Sequence, residues 1–430
     1  MSMIPEIEKQ SHQAIREYQN VQLKKLVQYL NSSSPFYKKH FTNHKIDVEA
    51  IQSLEDLPLI PTTTKDDLHN FNWDFLCVPR NKIVEYTSTS GTLGKAVTIG
   101  LTENDLQRLV YNESISFACA GATDNDLFQL MLTLDRQFMA GIAYYGGIRK
   151  LGAGVIRVGP GHPAMQWDAI NRLKPTVLVT VPSFLLKLIN FASEQGIDLN
   201  KSSVRKAICI GENLRAPDFT LSTIGSRIKA HWSIDLLSTY ASTEMQTAFT
   251  ECEHGIGGHH HPELIIVEIL NENDFPVKTG EVGELTITTL GVEGMPLIRY
   301  KTGDMMKIFD EECFCGRTTQ RIGPVIGRKQ QMIKLKGTTL YPPGIFEILN
   351  QIESVKDYAV EVFTSELGVD GLKVYFASNT QRETEIELKS AFQSKLRVAP
   401  EFYFCSQTEI DTLHSHGNTR KPQRFLDKRV

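Results

Sequence analysis

The feature that most restricts the possible folds of this chain is an alternation of short apolar runs with helix-like segments between residues 125 and 240. Such an alternation is typical of βαβ units, and it predicts a mostly parallel sheet with helices on its faces. The runs that we interpret as strands are Leu127–Leu134, Val155–Val158, Thr176–Val181, Ala207–Ile210 and Ile234–Tyr240.

Between residues 263 and 309 the pattern changes to short strands joined by turns, which predicts an antiparallel subdomain. Residues 5–41 carry apolar positions at helical spacing and are expected to be helical, with an interruption at Asn31–Pro35. The strands expected in the antiparallel subdomain are Leu264–Leu270, Gly283–Thr289, Leu297–Tyr300 and Met305–Phe309.

The last hundred residues combine short strands with a helix expected over residues 382–396, which predicts a small α+β domain. We therefore predict an α/β protein with two domains. A large N-terminal domain over residues 1–329 carries the mostly parallel sheets and the antiparallel subdomain, and a small C-terminal domain follows over residues 330–430.

Composition excludes several classes of protein. The chain has 46 basic and 50 acidic residues, a net charge of −4, which argues against a protein that binds nucleic acid by neutralising phosphates. We find neither a secretory leader nor an apolar stretch long enough to span a bilayer, and so we expect a soluble, cytoplasmic protein with no membrane partner. Seven cysteines in 430 residues do not form a disulfide framework.

Three of the cysteines lie in two glycine-bearing segments, which suggests a metal site. Cys252 begins a segment with four histidines, and Cys313-Phe-Cys315 forms the second segment. Thiolates with imidazole suit Zn²⁺ in a closed, structural site, whereas the alternative is reduced cysteines on exposed hairpins. The fourth ligand is ambiguous among His254, His259, His260 and His261. We choose His259, because Gly257-Gly258 lets the backbone turn its ring toward Cys252.

Residues 86–96 form a glycine- and hydroxyl-rich stretch, Tyr-Thr-Ser-Thr-Ser-Gly-Thr-Leu-Gly-Lys-Ala. Backbone N–H groups in such a turn can surround a phosphate, and a lysine adds a positive charge. A Walker A loop would need glycine in place of Thr89 and a hydroxyl residue in place of Ala96, so a P-loop NTPase is disfavoured. Taken alone, the stretch could also be a flexible linker. The residues expected to hold phosphate are Ser90, Gly91, Thr92, Gly94 and Lys95.

This stretch resembles the phosphate loop of adenylate-forming enzymes, the acyl-CoA synthetase superfamily. Further motifs follow in that family's order: Gly211-Glu212-Asn213, Tyr240-Ala241-Ser242-Thr243-Glu244, Thr302-Gly303-Asp304, Gly327-Arg328 with Gly337, and Lys421-Pro-Gln-Arg424. Phenylacetate-CoA ligases are the closer match, on Ser34–Tyr37, Pro61–Leu68 and Cys313–Arg317. The sequence departs from the family pattern at Leu93, Ala241 and Lys329–Gln331.

The resemblance implies an ATP-dependent aryl-CoA ligase, an acid–thiol ligase that activates an aromatic carboxylic acid as acyl-AMP and transfers it to coenzyme A. It implies that Glu244 is catalytic and holds Mg²⁺, and that Lys421 is catalytic in adenylation. It also implies that the C-terminal domain is a mobile lid that turns about Gln330. The nucleotide or coenzyme A would be bound by Gly211, Glu212, Asn213, Tyr240, Ala241, Ser242, Thr243, Asp304, Arg328, Lys336 and Gly337.

Two other functions remain open at this stage. One is an adenylyltransferase that stops at AMP transfer to a cofactor or sugar, and the other is a catalytically inactive, zinc-stabilised nucleotide-binding protein. We expect a homodimer that acts on a small aromatic carboxylic acid. The candidate walls of the acid pocket are Phe138, Met139, Gly141, Tyr144 and Tyr145.

Overall fold

The computed structural model describes residues 4–89, 97–335, 338–365, 369–398, 400–415 and 423–429. The chain forms two compact units. The first unit comprises Met1–Thr302 and Met306–Pro324, and the second comprises Gly303–Met305 and Val325–Val430. The predicted fold class, α/β with an antiparallel part and a small α+β domain, is confirmed. The predicted boundary between residues 329 and 330 and the lid role of the C-terminal domain stay predictions.

The helices of the first unit begin with an N-terminal pair that is separated at Ser34. The Ser34 backbone N–H ends the first helix on the Leu30 carbonyl, and its hydroxyl caps the second by accepting from the Tyr37 N–H. The α-helices are α1 (His12–Ser33), α2 (Pro35–Asn43), α3 (Lys65–Asn70), α4 (Glu103–Cys119), α5 (Met139–Leu151), α6 (Pro163–Leu173), α7 (Pro182–Glu194) and α8 (Thr223–His231). A short 3-10 helix, Glu6–Lys9, precedes α1.

The strands of the first unit overlap the predicted runs. They are β1 (Glu85–Ser88), β2 (Thr98–Leu101), β3 (Leu127–Leu130), β4 (Gly154–Arg157), β5 (Val177–Thr180), β6 (Lys206–Ile210), β7 (Asp235–Ser242), β8 (Thr247–Glu251), β9 (Gly258–His259), β10 (Ile265–Leu270), β11 (Gly283–Thr289), β12 (Tyr300–Met306, of which Gly303–Met305 belong to the second unit), β13 (Ile308–Phe309) and β14 (Arg321–Ile322). Strand β3 ends at Leu130, whereas the predicted run continues to Leu134.

The main sheet has the strand order β13-β14-β9-β8-β7-β6-β5-β3-β4. Strands β4, β3, β5, β6 and β7 are parallel, and pairing becomes antiparallel from β7 to β8 onward. All four residues of β5 are buried, as expected for a parallel strand covered on both faces. One face packs against α6, α7 and α8, where Trp167 and Trp232 stack with ring centroids 5.6 Å apart.

Two further predicted strands are wrong in part: Met305–Phe309 is interrupted at Lys307, and Leu297–Tyr300 is mostly irregular. Residues 297–299 of the expected strand Leu297–Tyr300 are irregular, and β12 begins at Tyr300. The backbone N–H groups of Leu297 and Arg299 donate to the hydroxyls of Thr289 and Thr288 instead of joining a strand ladder. Threonine side chains that compete for backbone donors in this way leave no signal in an apolar pattern.

The second unit is a small α+β domain. It contains β15 (Gly327–Arg328), β16 (Ile333–Leu335), β17 (Thr338–Leu340), α9 (Pro342–Gln351), β18 (Val355–Thr364), β19 (Asp370–Ser378), α10 (Gln381–Leu396), β20 (Glu401–Phe404), α11 (Gln407–His414) and β21 (Phe425–Lys428). Its main sheet has the order β20-β19-β18-β21, and α9 and α10 cover a core that includes Ile345, Val360, Phe376 and Phe392.

Within the part of the chain that the structure describes, no helix combines the length and apolar character needed to cross a bilayer.

Candidate active site and metal centre

The carboxyl ends of the parallel strands define the edge at which ligands bind in open α/β sheets. Strands β5, β6 and β7 end side by side at Thr180, Ile210 and Ser242. Two motifs singled out in the sequence, Gly211–Asn213 and Tyr240–Glu244, lie at this edge. The sheet also changes from parallel to antiparallel pairing there, between β7 and β8.

Glu212 has a structural partner that the sequence did not reveal. Its carboxylate accepts hydrogen bonds from the Ser183 backbone N–H at 2.8 Å and from the Ser183 hydroxyl at 2.7 Å. Ser183 lies in the first turn of α7, where backbone N–H groups have no partner within the helix. Glu212 therefore fixes the start of α7 to the end of β6. Gly211, between β6 and Glu212, makes the turn with a φ of +71°.

The Tyr240–Glu244 motif comprises the last three residues of β7 and the start of the tight turn that follows it. Tyr240 is opposite Phe249 and is half-buried, with the two ring centroids 6.3 Å apart. The Ser242 hydroxyl accepts a hydrogen bond from the Met245 N–H at 3.3 Å and closes the turn. Ala241 is exposed, and Ser242 and Thr243 are half-buried.

Glu244 is buried and faces Lys65, whose Nζ lies 3.9 Å from Glu244 Oε1. Lys65 is the first residue of α3, and a capping box between Thr64 and Asp67 fixes the start of that helix. In the sequence, the segment Pro61–Leu68 shows only a family resemblance, and no motif assigns Lys65 a role. The proximity places one positive charge beside the carboxylate that was predicted to hold Mg²⁺.

Arg108, from α4, holds the turn that follows Glu244. Its guanidinium is buried and donates to the carbonyls of Gln246 at 2.6 Å and Leu290 at 2.7 Å and to the Thr247 hydroxyl at 3.1 Å. Burial lowers the pKa of Arg108 to about 10, which leaves the group charged at neutral pH. Several charge-assisted hydrogen bonds to otherwise buried oxygens therefore fix the position of the turn.

The four side chains predicted to bind zinc lie together in the first unit. Their ligand atoms, the sulfurs of Cys252, Cys313 and Cys315 and a ring nitrogen of His259, all lie within 4.8 Å of one another. The Cys252 and Cys313 sulfurs are 3.6 Å apart, and His259 Nε2 is 3.5 Å from the Cys315 sulfur. Tetrahedral Zn²⁺ with sulfur ligands at about 2.3 Å separates the sulfurs by about 3.8 Å. The donor set and its spacing fit that ion.

The four candidate histidines have different partners. His259 Nδ1 lies 3.5 Å from the Thr319 hydroxyl, and burial lowers the pKa of His259, which favours the neutral ring that binds metals. His260 Nε2 contacts the Ile265 carbonyl at 2.6 Å, and His261 Nδ1 contacts Glu8 at 2.5 Å. His254 is half-exposed beside Glu253.

In the second unit, the two predicted nucleotide ligands contact each other. Asp304 and Arg328 are paired in β12 and β15, and Arg328 Nε lies 3.4 Å from Asp304 Oδ1. Asp304 is buried, whereas Arg328 is exposed. The arginine therefore compensates the charge of a carboxylate that was expected to accept hydrogen bonds from ribose.

A further group in the second unit, Asp357, Asp411 and His414, also has ligand atoms within 4.8 Å of one another. Gln407 Nε2 donates to both carboxylates, at 3.1 and 3.0 Å, and Arg424 lies 3.4 Å from Asp357. These donors supply the hydrogen bonds and positive charge that the carboxylates need. We assign no metal to this group.

Eight of the predicted site residues lie outside the described residues. They are the phosphate-loop residues Ser90, Gly91, Thr92, Gly94 and Lys95, together with Lys336, Gly337 and Lys421. The strands that flank the phosphate loop are described, and Ser88 of β1 is opposite Thr98 of β2. The Thr89 hydroxyl accepts a hydrogen bond from the Val97 N–H at 3.0 Å, which joins the two ends of the loop.

Helix α5 and the residue before it carry the five candidate walls of the acid pocket, Phe138, Met139, Gly141, Tyr144 and Tyr145. Met139 and Tyr145 line a cavity of about 180 Å³ between α4, α5 and the hairpin of β1 and β2. Tyr144 is buried instead against Phe117, with ring centroids 5.6 Å apart.

Comparison with known proteins identifies the family of this chain. Residues 47–294 match the family model described as AMP-binding enzyme. The chain therefore belongs to the family of AMP-binding enzymes, which confirms the predicted family and the predicted enzyme class, an AMP-forming acid–thiol ligase.

Among its relatives is the phenylacetate-coenzyme A ligase of Thermus thermophilus, which is 31% identical over 83% of this chain and 80% of the relative. The enzyme of the same name from Escherichia coli is 28% identical over 83% of this chain and 81% of the relative. A crystal structure of 2-hydroxyisobutyryl-CoA ligase in its postadenylation state superposes with a TM-score of 0.84 at 21% identity, over 99% of this chain and 92% of that one. The last likeness establishes the fold.

Proposed function

We propose that this enzyme is an ATP-dependent aryl-CoA ligase. It activates an aromatic carboxylic acid as acyl-AMP, with release of pyrophosphate, and then transfers the acyl group to coenzyme A with release of AMP. The observation that carries the proposal is the relation to phenylacetate-coenzyme A ligases over more than four fifths of the chain. The buried Glu244, held at the carboxyl edge of the sheet, supports it.

The first half-reaction needs charge stabilisation and positioning more than covalent help, because the acid displaces pyrophosphate at the α-phosphorus in line. Mg²⁺, when bound, would neutralise charge on the phosphate oxygens, and Glu244 offers it a hard oxygen ligand. The Lys65 ammonium lies 3.9 Å from the Glu244 carboxylate and supplies a second positive charge near the phosphates. Arg108 holds the turn that follows Glu244, through the Gln246 carbonyl and the Thr247 hydroxyl, and so limits movement of Glu244 before substrate arrives.

Other residues are assigned by their place in the family motifs. We assign Tyr240 to stacking on adenine, Asp304 to accepting hydrogen bonds from the ribose hydroxyls, and Lys95 with its loop to the phosphates. Lys421 is assigned to the substrate carboxylate and the α-phosphate during adenylation. An ionised carboxylate such as that of Asp304 is only an acceptor, which matches the donor character of two hydroxyl groups.

The function is tested by incubating the purified chain with ATP, Mg²⁺ and a panel of carboxylic acids, with and without coenzyme A. Phenylacetate and cyclohexylacetate form a matched pair, because they have the same carbon skeleton and differ in aromaticity. We expect aromatic acids to give pyrophosphate, and AMP with a thioester when coenzyme A is added. Pyrophosphate without any thioester would indicate an adenylyltransferase, and no nucleotide turnover with any acid would indicate an inactive protein.

Replacing Lys421 with alanine separates the two half-reactions. We expect Lys421→Ala to slow acyl-AMP formation by at least about 100-fold, since a lost charge contact in a transition state costs about 3–4 kcal/mol. Thioester formation from supplied acyl-AMP should change little. Arg420→Ala, which removes the neighbouring positive charge, is the matched control. Equal losses in both half-reactions for Lys421→Ala would contradict a role confined to adenylation.

Glu244 is tested through the metal dependence of adenylation. We expect Glu244→Gln, which keeps the size of the side chain but removes its charge, to raise the Mg²⁺ concentration needed for half-maximal pyrophosphate release. Glu272→Gln removes an exposed carboxylate of the same unit and should leave that titration unchanged. A Mg²⁺ titration of Glu244→Gln that overlays the parent curve would reject the assignment.

We further propose that Cys252, His259, Cys313 and Cys315 hold one structural zinc ion. Three thiolates and one imidazole are soft ligands that favour Zn²⁺ over Mg²⁺. Four protein ligands complete a tetrahedron and leave no open position for substrate. When bound, the ion would cross-link two loops and so stabilise the fold. The residues of the adenylation motifs would carry out the reaction.

Metal analysis of protein purified without added zinc tests this site. We expect one zinc per chain, and we expect Cys313→Ser and Cys315→Ser to lose both the zinc and several degrees of thermal midpoint, because metal binding is coupled to folding. Cys405→Ser is the matched control, since Cys405 lies outside the group. Full zinc content and stability in the two serine variants would show that the site does not exist. Zinc retained by His259→Ala would show that His259 is not a ligand.

A further inference from the structure

A buried ionic group lies next to the proposed metal site and has no part in the proposed chemistry. Glu8 Oε2 accepts from Arg317 Nε at 2.7 Å, and Glu8 Oε1 lies 2.5 Å from His261 Nδ1. Glu8 and His261 are fully buried, and Arg317 is only 4% exposed. Burying such charges is costly unless each is paired and hydrogen-bonded, so the geometry of all three groups depends on the others.

This ionic group reaches the metal site through Arg317. Arg317 Nη1 lies 3.5 Å from the Cys315 sulfur, while Nε of the same guanidinium is bonded to Glu8. Donors that contact a metal ligand without contacting the metal orient that ligand and tune the binding of the metal. Arg317 follows Cys315 by two residues, so the same loop carries both the ligand and its donor.

The charge of the proposed zinc site and the charge of Arg317 are complementary. Three thiolates and a neutral imidazole around Zn²⁺ carry a net charge of −1, which the Arg317 guanidinium offsets. Glu8 in turn fixes the guanidinium. Burial alone raises the pKa of Glu8, but the charges and hydrogen bonds of His261 and Arg317 outweigh burial and lower it, so this carboxylate stays ionised.

Ser116, His261 and Glu8 also lie in the order of a nucleophile, a base and an orienting acid. The Ser116 hydroxyl is 3.2 Å from His261 Nε2. However, Ser116 is only 1% exposed and lies within α4, where no substrate can reach its oxygen. The hydroxyl therefore serves the histidine as a hydrogen-bond partner and does not act as a nucleophile.

Glu8 also anchors the N-terminal segment, by which we mean residues 5–10. The Thr318 N–H donates to the Glu8 carbonyl at 2.9 Å, and the Thr318 hydroxyl donates to the carbonyls of Glu8 and Gln10 at 3.1 and 2.6 Å. The short helix Glu6–Lys9 is thus fixed to the loop that supplies two metal ligands. Some 310 residues of sequence separate the two contacting segments.

We propose that Glu8 and Arg317 are positioning residues of the metal site, so that metal binding and docking of the N-terminal segment stabilise each other. The inference rests on the zinc site proposed above. Because coupling between two binding events is reciprocal, the factor by which docking of the segment strengthens zinc binding equals the factor by which zinc strengthens docking of the segment.

The first test compares zinc affinities of full-length variants by competition with a chelating indicator. We expect Glu8→Gln to weaken zinc binding by about 10-fold, because it loosens the Arg317 guanidinium, and loss of a donor that contacts a metal ligand costs about 10- to 100-fold in affinity. Glutamine keeps the size and an acceptor oxygen, so the loss reports on charge. Glu6→Gln, in the same short helix but with an exposed side chain, should bind zinc like the parent.

The second test needs no variant. Hydrogen exchange is measured on the parent chain with zinc bound and after removal by a chelator. The N–H groups of Glu8 and Gln10 donate to the carbonyls of Pro5 and Ile7. These N–H groups should exchange at least about 10-fold faster without zinc, the same factor as the expected change in zinc affinity. Amides of α6 should be unaffected.

The outcomes separate the two proposals. A parent chain that binds no zinc overturns the metal site and the coupling together. A parent chain that binds zinc, with equal affinity in Glu8→Gln and unchanged exchange of the N-terminal segment, overturns only the coupling.

Discussion

Cys252, His259, Cys313 and Cys315 converge at the antiparallel end of the main sheet, and we propose that this convergence is what holds that end together. Strands β9, β13 and β14 have two residues each, so their ladders provide few hydrogen bonds. Short strands of this kind are marginal without other support. A metal ion held by the four side chains would fix the loops that connect them and would keep these strands in register.

Strand β8 joins this end of the sheet to the proposed catalytic residues. It begins just after the turn that carries Glu244 and ends at Glu251, directly before Cys252. Arg108 holds the first end through the Gln246 carbonyl, and the proposed metal site would hold the second. A five-residue strand fixed at both ends would have little freedom to move, which would keep the Glu244 carboxylate in place at the carboxyl edge of the sheet.

The sequence predicted the parts of the fold that have a local signal. The parallel strands and the spacing of Cys313 and Cys315 follow from apolar runs and residue types within short windows. Lys65 beside Glu244, Glu212 at the start of α7 and Glu8 on Arg317 depend on contacts between distant segments, and no pattern in one sequence reveals these. The irregular residues 297–299 were missed because threonine hydroxyls take the backbone donors that a strand would use.

X-ray absorption at the zinc edge of the purified chain tests the central claim of this account most directly, since it reports the number and type of ligands. The account predicts three sulfur ligands at about 2.3 Å and one nitrogen at about 2.0 Å, with no change when acid, ATP and coenzyme A are added. A first shell of nitrogen and oxygen alone, or a ligand exchanged on addition of substrate, would contradict a closed structural site.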